Sequence, residues 1–96
     1  MAENKIAVRV RFMVHFRDLF GGKEKEVRLT TGSDIGKLLL SICDTPERRR
    51  ELLAEGELKT QVVVLKNGIP VQSLKGLGAE LADGDTMAIF PFLAGG

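Results

Sequence analysis

The sequence has no tryptophan and no tyrosine, one histidine, one cysteine and three prolines. One cysteine cannot close an internal disulfide, which excludes a disulfide-stapled scaffold and fits a reducing cytoplasm. One histidine, His15, set among arginines with no second ligand at metal spacing, reads as a solvated strand residue, and no metal site is expected. Charge of one sign is missing too: 14 basic and 13 acidic residues leave a formal net charge of +1. Such a balance gives no field to select nucleic acid or an anionic membrane surface. No apolar run approaches the roughly 20 residues that span a bilayer. The start, Met1-Ala2-Glu3-Asn4-Lys5, is polar and lacks the apolar core of a signal peptide, so a cytoplasmic protein is expected.

What is present is ordinary for one globular domain: 96 residues, 44% hydrophobic and 28% charged. A chain of this size buries roughly 60–65% of its unfolded surface, enough for one modest core. There is no repeat, low-complexity tract or linker. Residues 1–96 are read as one domain.

Residues 6–17 alternate strictly. Ile6, Val8, Val10, Phe12, Val14 and Phe16 fall on one side; Arg9, Arg11, Met13, His15 and Arg17 fall on the other. A period of two predicts a half-buried strand. Gly21-Gly22 punctuates the chain, and Val27 and Leu29 share one face of the next segment, so a hairpin turning near 20–24 is expected. Ser33 is the expected cap of a helix whose stripe is Ile35, Leu38, Leu39 and Ile42. Thr45-Pro46 is a second start signal, for a short polar helix over 46–54 with Leu52 and Leu53 inward and Gly56 ending it.

The β-branched run Gln61–Leu65 predicts a strand, Asn67-Gly68 a tight turn, and Ile69–Val71 a short partner strand. Thr86–Phe90 reads as the last strand, with Met87 and Ile89 on one face and Ala88 and Phe90 on the other. The order β-β-α-(α)-β-β-β fits an α+β two-layer fold: a mixed four- to five-stranded sheet on one main helix, plus a short second helix. The first and last strands are expected as central neighbours. Pro91 cannot extend a ladder, so 91–96 is predicted to leave the sheet as an extended, mobile tail reaching about 20 Å.

The sequence ends Phe90-Pro91-Phe92-Leu93-Ala94-Gly95-Gly96. Two glycines carry no side chains, enter a narrow slot and leave the Gly96 carboxylate unhindered on both faces. That suits a carboxylate which another enzyme activates and a nucleophile then attacks.

With these elements in place, the chain resembles the MoaD/ThiS family of ubiquitin-like sulfur carriers, a β-grasp fold. The most specific stretch is Leu81-Ala82-Asp83-Gly84-Asp85-Thr86-Met87-Ala88-Ile89-Phe90-Pro91-Phe92-Leu93-Ala94-Gly95-Gly96. It is similar to the family's Leu-x-Asp-Gly-Asp-x-apolar-x-apolar-Phe-Pro-Pro-Val-Ala-Gly-Gly. Arg17-Asp18-Leu19 resembles the Arg-Glu-Leu of molybdopterin synthase small subunits, and Asn67-Gly68 matches the family's turn. Phe92 departs from the pattern, standing where the molybdopterin-type tail has its second proline. Residues 44–57 add a polar helical segment that thiamine-type carriers lack, and with Gly76-Leu77 they resemble carriers serving cysteine synthesis.

The resemblance implies that the chain is a carrier rather than an enzyme and binds no cofactor itself. An E1-like adenylyltransferase would use ATP to adenylate Gly96, and a sulfur donor would displace AMP to leave a thiocarboxylate. An acceptor such as the molybdopterin synthase large subunit would then receive the sulfur, so the pathway expected first is molybdenum or tungsten cofactor synthesis. Leu93, Ala94 and Gly95 belong to the expected tail with Pro91 and Phe92. Two other readings stay open: a ubiquitin-like modifier joined to lysines through Gly96, and a β-grasp binding module with an inert tail.

Parity places Phe90 and Met13 on the outer sheet face, where apolar side chains have no folding reason to be. They are the expected partner-docking patch. Cys43 reads as a buried small hydrophobe, Arg48-Arg49-Arg50 as a solvated helix face, and Asp83-Gly84-Asp85 as turn chemistry.

Overall fold

In the computed structural model, residues 4–92 are described. A five-stranded sheet has the order β2-β1-β7-β5-β6, and one face of it is covered by helix. Strand β1 (Lys5–Phe12) pairs antiparallel with β2 (Glu24–Thr30) and parallel with β7 (Thr86–Pro91). The predicted central pairing of first and last strands is therefore present. Strand β5 (Val62–Lys66) pairs antiparallel with β7 and, through a tight turn, with β6 (Ile69–Pro70). Among the described residues no helix is long and apolar enough to cross a membrane.

The alternation of β1 delivers Ile6, Val8, Val10 and Phe12 to the core. Helix α2 (Ile35–Ile42) answers with Ile35, Leu38, Leu39 and Ile42, all but fully buried. Met87 and Ile89 of β7 and Val62 and Val64 of β5 close the same layer. This is the predicted α+β, ubiquitin-like arrangement.

Five local expectations are corrected. The first strand stops at Phe12 instead of running to Arg17. Val14 has φ 59° and is 53% exposed rather than inward, and Phe16–Phe20 forms a one-turn helix, α1. Its rings pack back on the strand: Phe12 and Phe20 stack with centroids 4.5 Å apart, and Phe16 meets Phe20 edge-on at 6.3 Å. His15 thus precedes a helix rather than lying in a strand.

The cap of α2 is Asp34, whose Oδ1 accepts the Lys37 N–H at 2.8 Å; Ser33 instead closes the preceding turn by donating its hydroxyl to the Thr30 carbonyl at 2.7 Å. Helix α3 (Pro46–Leu52) is capped as expected by Thr45. It ends two residues early, because Leu53–Ala54 (β3) pairs with Glu57–Leu58 (β4) as a hairpin. Glu55 at φ 53° and Gly56 at φ 79° make the turn, so Gly56 serves a hairpin and not a helix end. Val71 starts a 3₁₀ turn instead of ending β6.

The fifth correction concerns Pro91. It remains in β7, opposite Val62, and the ladder continues until the Phe92 N–H donates to the Gln61 carbonyl at 2.7 Å. Proline is tolerated because of parity. Phe90 and Phe92 turn their amides toward β5, whereas the odd positions face β1, where Met13 N–H donates to the Ile89 carbonyl at 3.1 Å and the strand has already ended. The missing N–H of Pro91 therefore costs no ladder bond. Pairing is thus described as far as Phe92; residues 93–96, and with them the expected tail residues Leu93, Ala94, Gly95 and Gly96, lie outside the described residues.

Candidate functional site

The start of β7 is fixed by the Asp83-Gly84-Asp85 turn. Asp83 Oδ1 accepts the Ala7 N–H at 2.7 Å, and the Gly84 N–H donates to the Ala7 carbonyl at 2.9 Å. Asp85 is buried and accepts from the Ala82 N–H at 2.8 Å and from Asn67 Nδ2 at 2.9 Å; Lys66 Nζ lies 3.7 Å away. Burial pushes its carboxyl up, but these two hydrogen bonds and the Lys66 ammonium hold it below the usual carboxylate range. Both carboxylates serve the turn, as expected from the sequence.

From that anchor, β7 runs between β1 and β5 with its odd and even residues divided. Met87 and Ile89 are fully buried against the helix layer. Ala88 and Phe90 face outward and are half-buried. Across the β5 ladder, Phe90 stands opposite Val63 and Ala88 opposite Leu65, and Leu65 stands opposite Pro70 on β6. Val63 and Leu65 are also half-buried, and Phe92, at 60% exposure, extends the row toward the end of the described chain. The outer face of β1 and β2 is different in kind: Arg9, Arg11, Glu24, Glu26 and Arg28, all exposed. The sheet surface is apolar over β7, β5 and β6, and charged over β1 and β2.

The two predicted outer-face residues come to one end of this surface. Met13 follows Phe12, whose partner on β7 is Ile89, so it lies beside Phe90, half-buried. It lines a cleft of about 380 Å³ with Arg11, Phe12, Arg17, Lys23 and Glu24. Sequence reasoning missed Val63 and Leu65, and placed Phe92 in the tail rather than on this face. The signal was available for the first two: a strand apolar at every position from Val62 to Leu65 must show apolar groups on both faces.

The remaining chemically suggestive residues are structural. Cys43 is buried, and burial, ahead of the neighbouring charges, pushes its thiol up to about 11. A thiol so far from ionisation is no nucleophile near neutral pH. His15 is exposed, 3.6 Å from Glu51. Arg48 departs from the solvated reading of its run. Its Nε donates to the Leu19 carbonyl at 2.8 Å, a second guanidinium nitrogen meets Asp44 Oδ1 at 2.6 Å, and its plane lies 5.6 Å from the Phe20 ring centre. It clamps α3 to α1, and its hydrogen bond holds the Asp44 carboxyl below the usual range. Arg49 and Arg50 are exposed.

The profile of the ThiS family matches residues 10–96. The chain belongs to the ThiS family. It is 36% identical over 90 residues to small archaeal modifier protein 3 of Haloferax volcanii, spanning 93% of this chain and 98% of that one. It is similar to the Amycolatopsis orientalis BexX/CysO complex structure, with 30% identity, a TM-score of 0.75 and 93% and 99% of the two chains covered. It also resembles a putative molybdopterin converting factor, subunit 1, from Pyrococcus furiosus, with 28% identity, a TM-score of 0.75 and 92% and 99% coverage. The chain is thus a ubiquitin-like carrier or modifier rather than an enzyme.

Proposed function

We propose that the chain is a sulfur carrier and that Gly96 is its reactive residue. In this reading an E1-like adenylyltransferase binds the apolar outer face through Phe90 and Met13. The Gly96 carboxylate then attacks the α-phosphorus of ATP, and pyrophosphate leaves. Hydrosulfide from a sulfur donor attacks the acyl carbon, AMP leaves with the electron pair of the broken C–O bond, and loss of the S–H proton gives a thiocarboxylate. An acceptor enzyme engaging the same face receives the sulfur. The carrier supplies no base and binds no cofactor of its own; its part is to hold and present one carboxylate.

The observation that carries this reading is the course of β7. A central strand, paired on both sides and locked by Met87 and Ile89 underneath, delivers the chain past an uncovered apolar face and toward Gly-Gly. The likeness to the Pyrococcus furiosus protein supports molybdopterin synthesis as the destination and the large subunit of molybdopterin synthase as acceptor. The likeness to a small archaeal modifier protein favours a second use of the same acyl adenylate, attack by a lysine amine to form an isopeptide.

Intact mass of the protein isolated from its own cell tests both. A carrier is heavier than the translated chain by the difference between one sulfur and one oxygen, whereas a modifier appears in conjugates. Deleting Gly96 is expected to abolish ATP–pyrophosphate exchange with the activating enzyme while leaving the fold intact. Unchanged exchange in the deletion variant would refute Gly96 as the reactive residue.

A further inference from the structure

We infer that the positive corner beside the end of β7 is a second docking point, and that it takes an acidic lip of the partner protein. The inference rests on the carrier reading and adds the partner's chemistry to it. Strands β1 and β7 are parallel, while β2 and β5 run against them. Phe12, Lys23, Val62 and Phe90 therefore meet at one end of the sheet. The cleft at this end is lined by three cations, Arg11, Arg17 and Lys23, and one anion, Glu24.

Arg11 Nε lies 3.8 Å from Glu24 Oε1, so that pair is internally compensated. Among the described residues no ion pair engages Arg17 or Lys23, and both side chains are exposed. Asp18, exposed on the same short helix as Arg17, does not line the cleft. Two uncompensated cations thus flank the end of β7 on the β1 side, and uncharged Val63, Leu65 and Phe90 flank it on the β5 side. Met13, which lines the cleft and lies beside Phe90, joins the two.

A partner that only covered Phe90 would be free to pivot about that anchor. A contact of different chemistry across the strand fixes rotation, and so fixes the direction in which the segment toward Gly96 enters the partner's slot. Charge also acts before contact, over about a Debye length of 8–10 Å. The occupant is accordingly a segment of the partner carrying at least two aspartate or glutamate side chains, placed on the lip opposite its apolar contact.

The test is ATP–pyrophosphate exchange by the E1-like adenylyltransferase of the same cell, with the full-length chain as substrate, at about 0.02 M and about 0.5 M salt. Wild-type kcat/KM is expected to fall at least about tenfold between them. Arg17→Glu with Lys23→Glu is expected to raise the KM for the carrier at least about tenfold at low salt, with kcat unchanged and the effect under about threefold at high salt. Arg17→Lys is expected to behave as wild type. The control, Arg49→Glu with Arg50→Glu, changes net charge equally on α3 and is expected to move KM under about threefold. Equal effects of the two pairs, or a salt-independent KM, would overturn the corner while leaving the carrier reading intact. No exchange with the wild-type chain at either salt would overturn the carrier reading itself.

Discussion

Replacing Phe90 with alanine separates docking from folding. Phe90 is half-buried, and its cross-strand neighbour is Val63. Fully burying such a side chain is worth about 1.5–3 kcal/mol, so half-burial plus one cross-strand pair puts the stability loss near 1–2 kcal/mol. A chain of this length has about 5–14 kcal/mol of total stability, so the variant stays folded. Its melting temperature is expected to fall about 4–16 °C. An aromatic anchor lost from the centre of an interface costs about 2 kcal/mol or more, which is roughly a 30-fold rise in Kd for the activating enzyme. Met87 is the control, because it sits three residues away on the opposite, fully buried face of the same strand. Met87→Ala is expected to cost about 2–5 kcal/mol of stability. Calorimetric titration beside thermal melting reads both quantities. Unchanged affinity in folded Phe90→Ala, or a loss of stability matching that of Met87→Ala, would return Phe90 to the core and refute the docking face.

Three further outcomes are expected. Val14 holds φ 59° while half its surface is exposed; Val14→Gly relieves about 1–2 kcal/mol of left-handed strain against about 0.5–1 kcal/mol of chain entropy, so the melting temperature should rise or hold, and a clear fall would refute the strain. Asp85 has its carboxyl held low in the folded state, so its stabilising share is complete above the unfolded carboxylate pKa and is lost as pH falls through the folded value. Urea midpoints should therefore fall on acidification from pH about 5 to about 3, and less steeply in Asp85→Asn. Cys43, pushed up to about 11, contributes stability that is intact below the unfolded thiol pKa and is lost as pH rises through the folded value; native Cys43 should alkylate far more slowly at neutral pH than after unfolding, and equal rates would refute its burial.

Long-period features were legible in the sequence, and chain reversals were not. The stripe of α2 and the alternation over Ile6–Phe12 required burial on one face, and no other placement was available to them. The strand was overextended because Val14 and Phe16 continued its period of two. The spacing of Phe12, Phe16 and Phe20 in steps of four suits one face of a strand as well as one face of a helix, so it could not show that a helical turn intervenes. Ser33 and Asp34 are both good caps, and only the Thr30 carbonyl, which takes the serine hydroxyl, separates their roles. Glu55-Gly56 was hidden because a glycine after a helix also ends it. At Pro91, composition gave the chemistry but not the side on which the missing amide falls; that depends on where β1 stops. The outward placement of Phe90 and Met13 followed from parity, whereas bringing Lys23 into one cleft with Arg17 needed the antiparallel return of β2.

The end of β7 explains why the presenting strand is central. An edge strand, bonded on one side, would let the end proposed as reactive swing with every local opening. Here the strand is bonded to β1 and β5, its start is tied to Ala7 and Asn67 through Asp83 and Asp85, and Met87 and Ile89 weld its underside to α2. Pairing persists on the β5 side to Phe92, one residue beyond the point where proline removes the donor facing β1. The ordered strand thus carries register and direction up to the last position before the Leu93–Gly96 segment. On the proposed carrier reading, geometry is what this chain contributes to its partner's reaction. On the proposed reading, the apolar face and the cationic corner, on opposite flanks of the same strand, are where that geometry would be handed over.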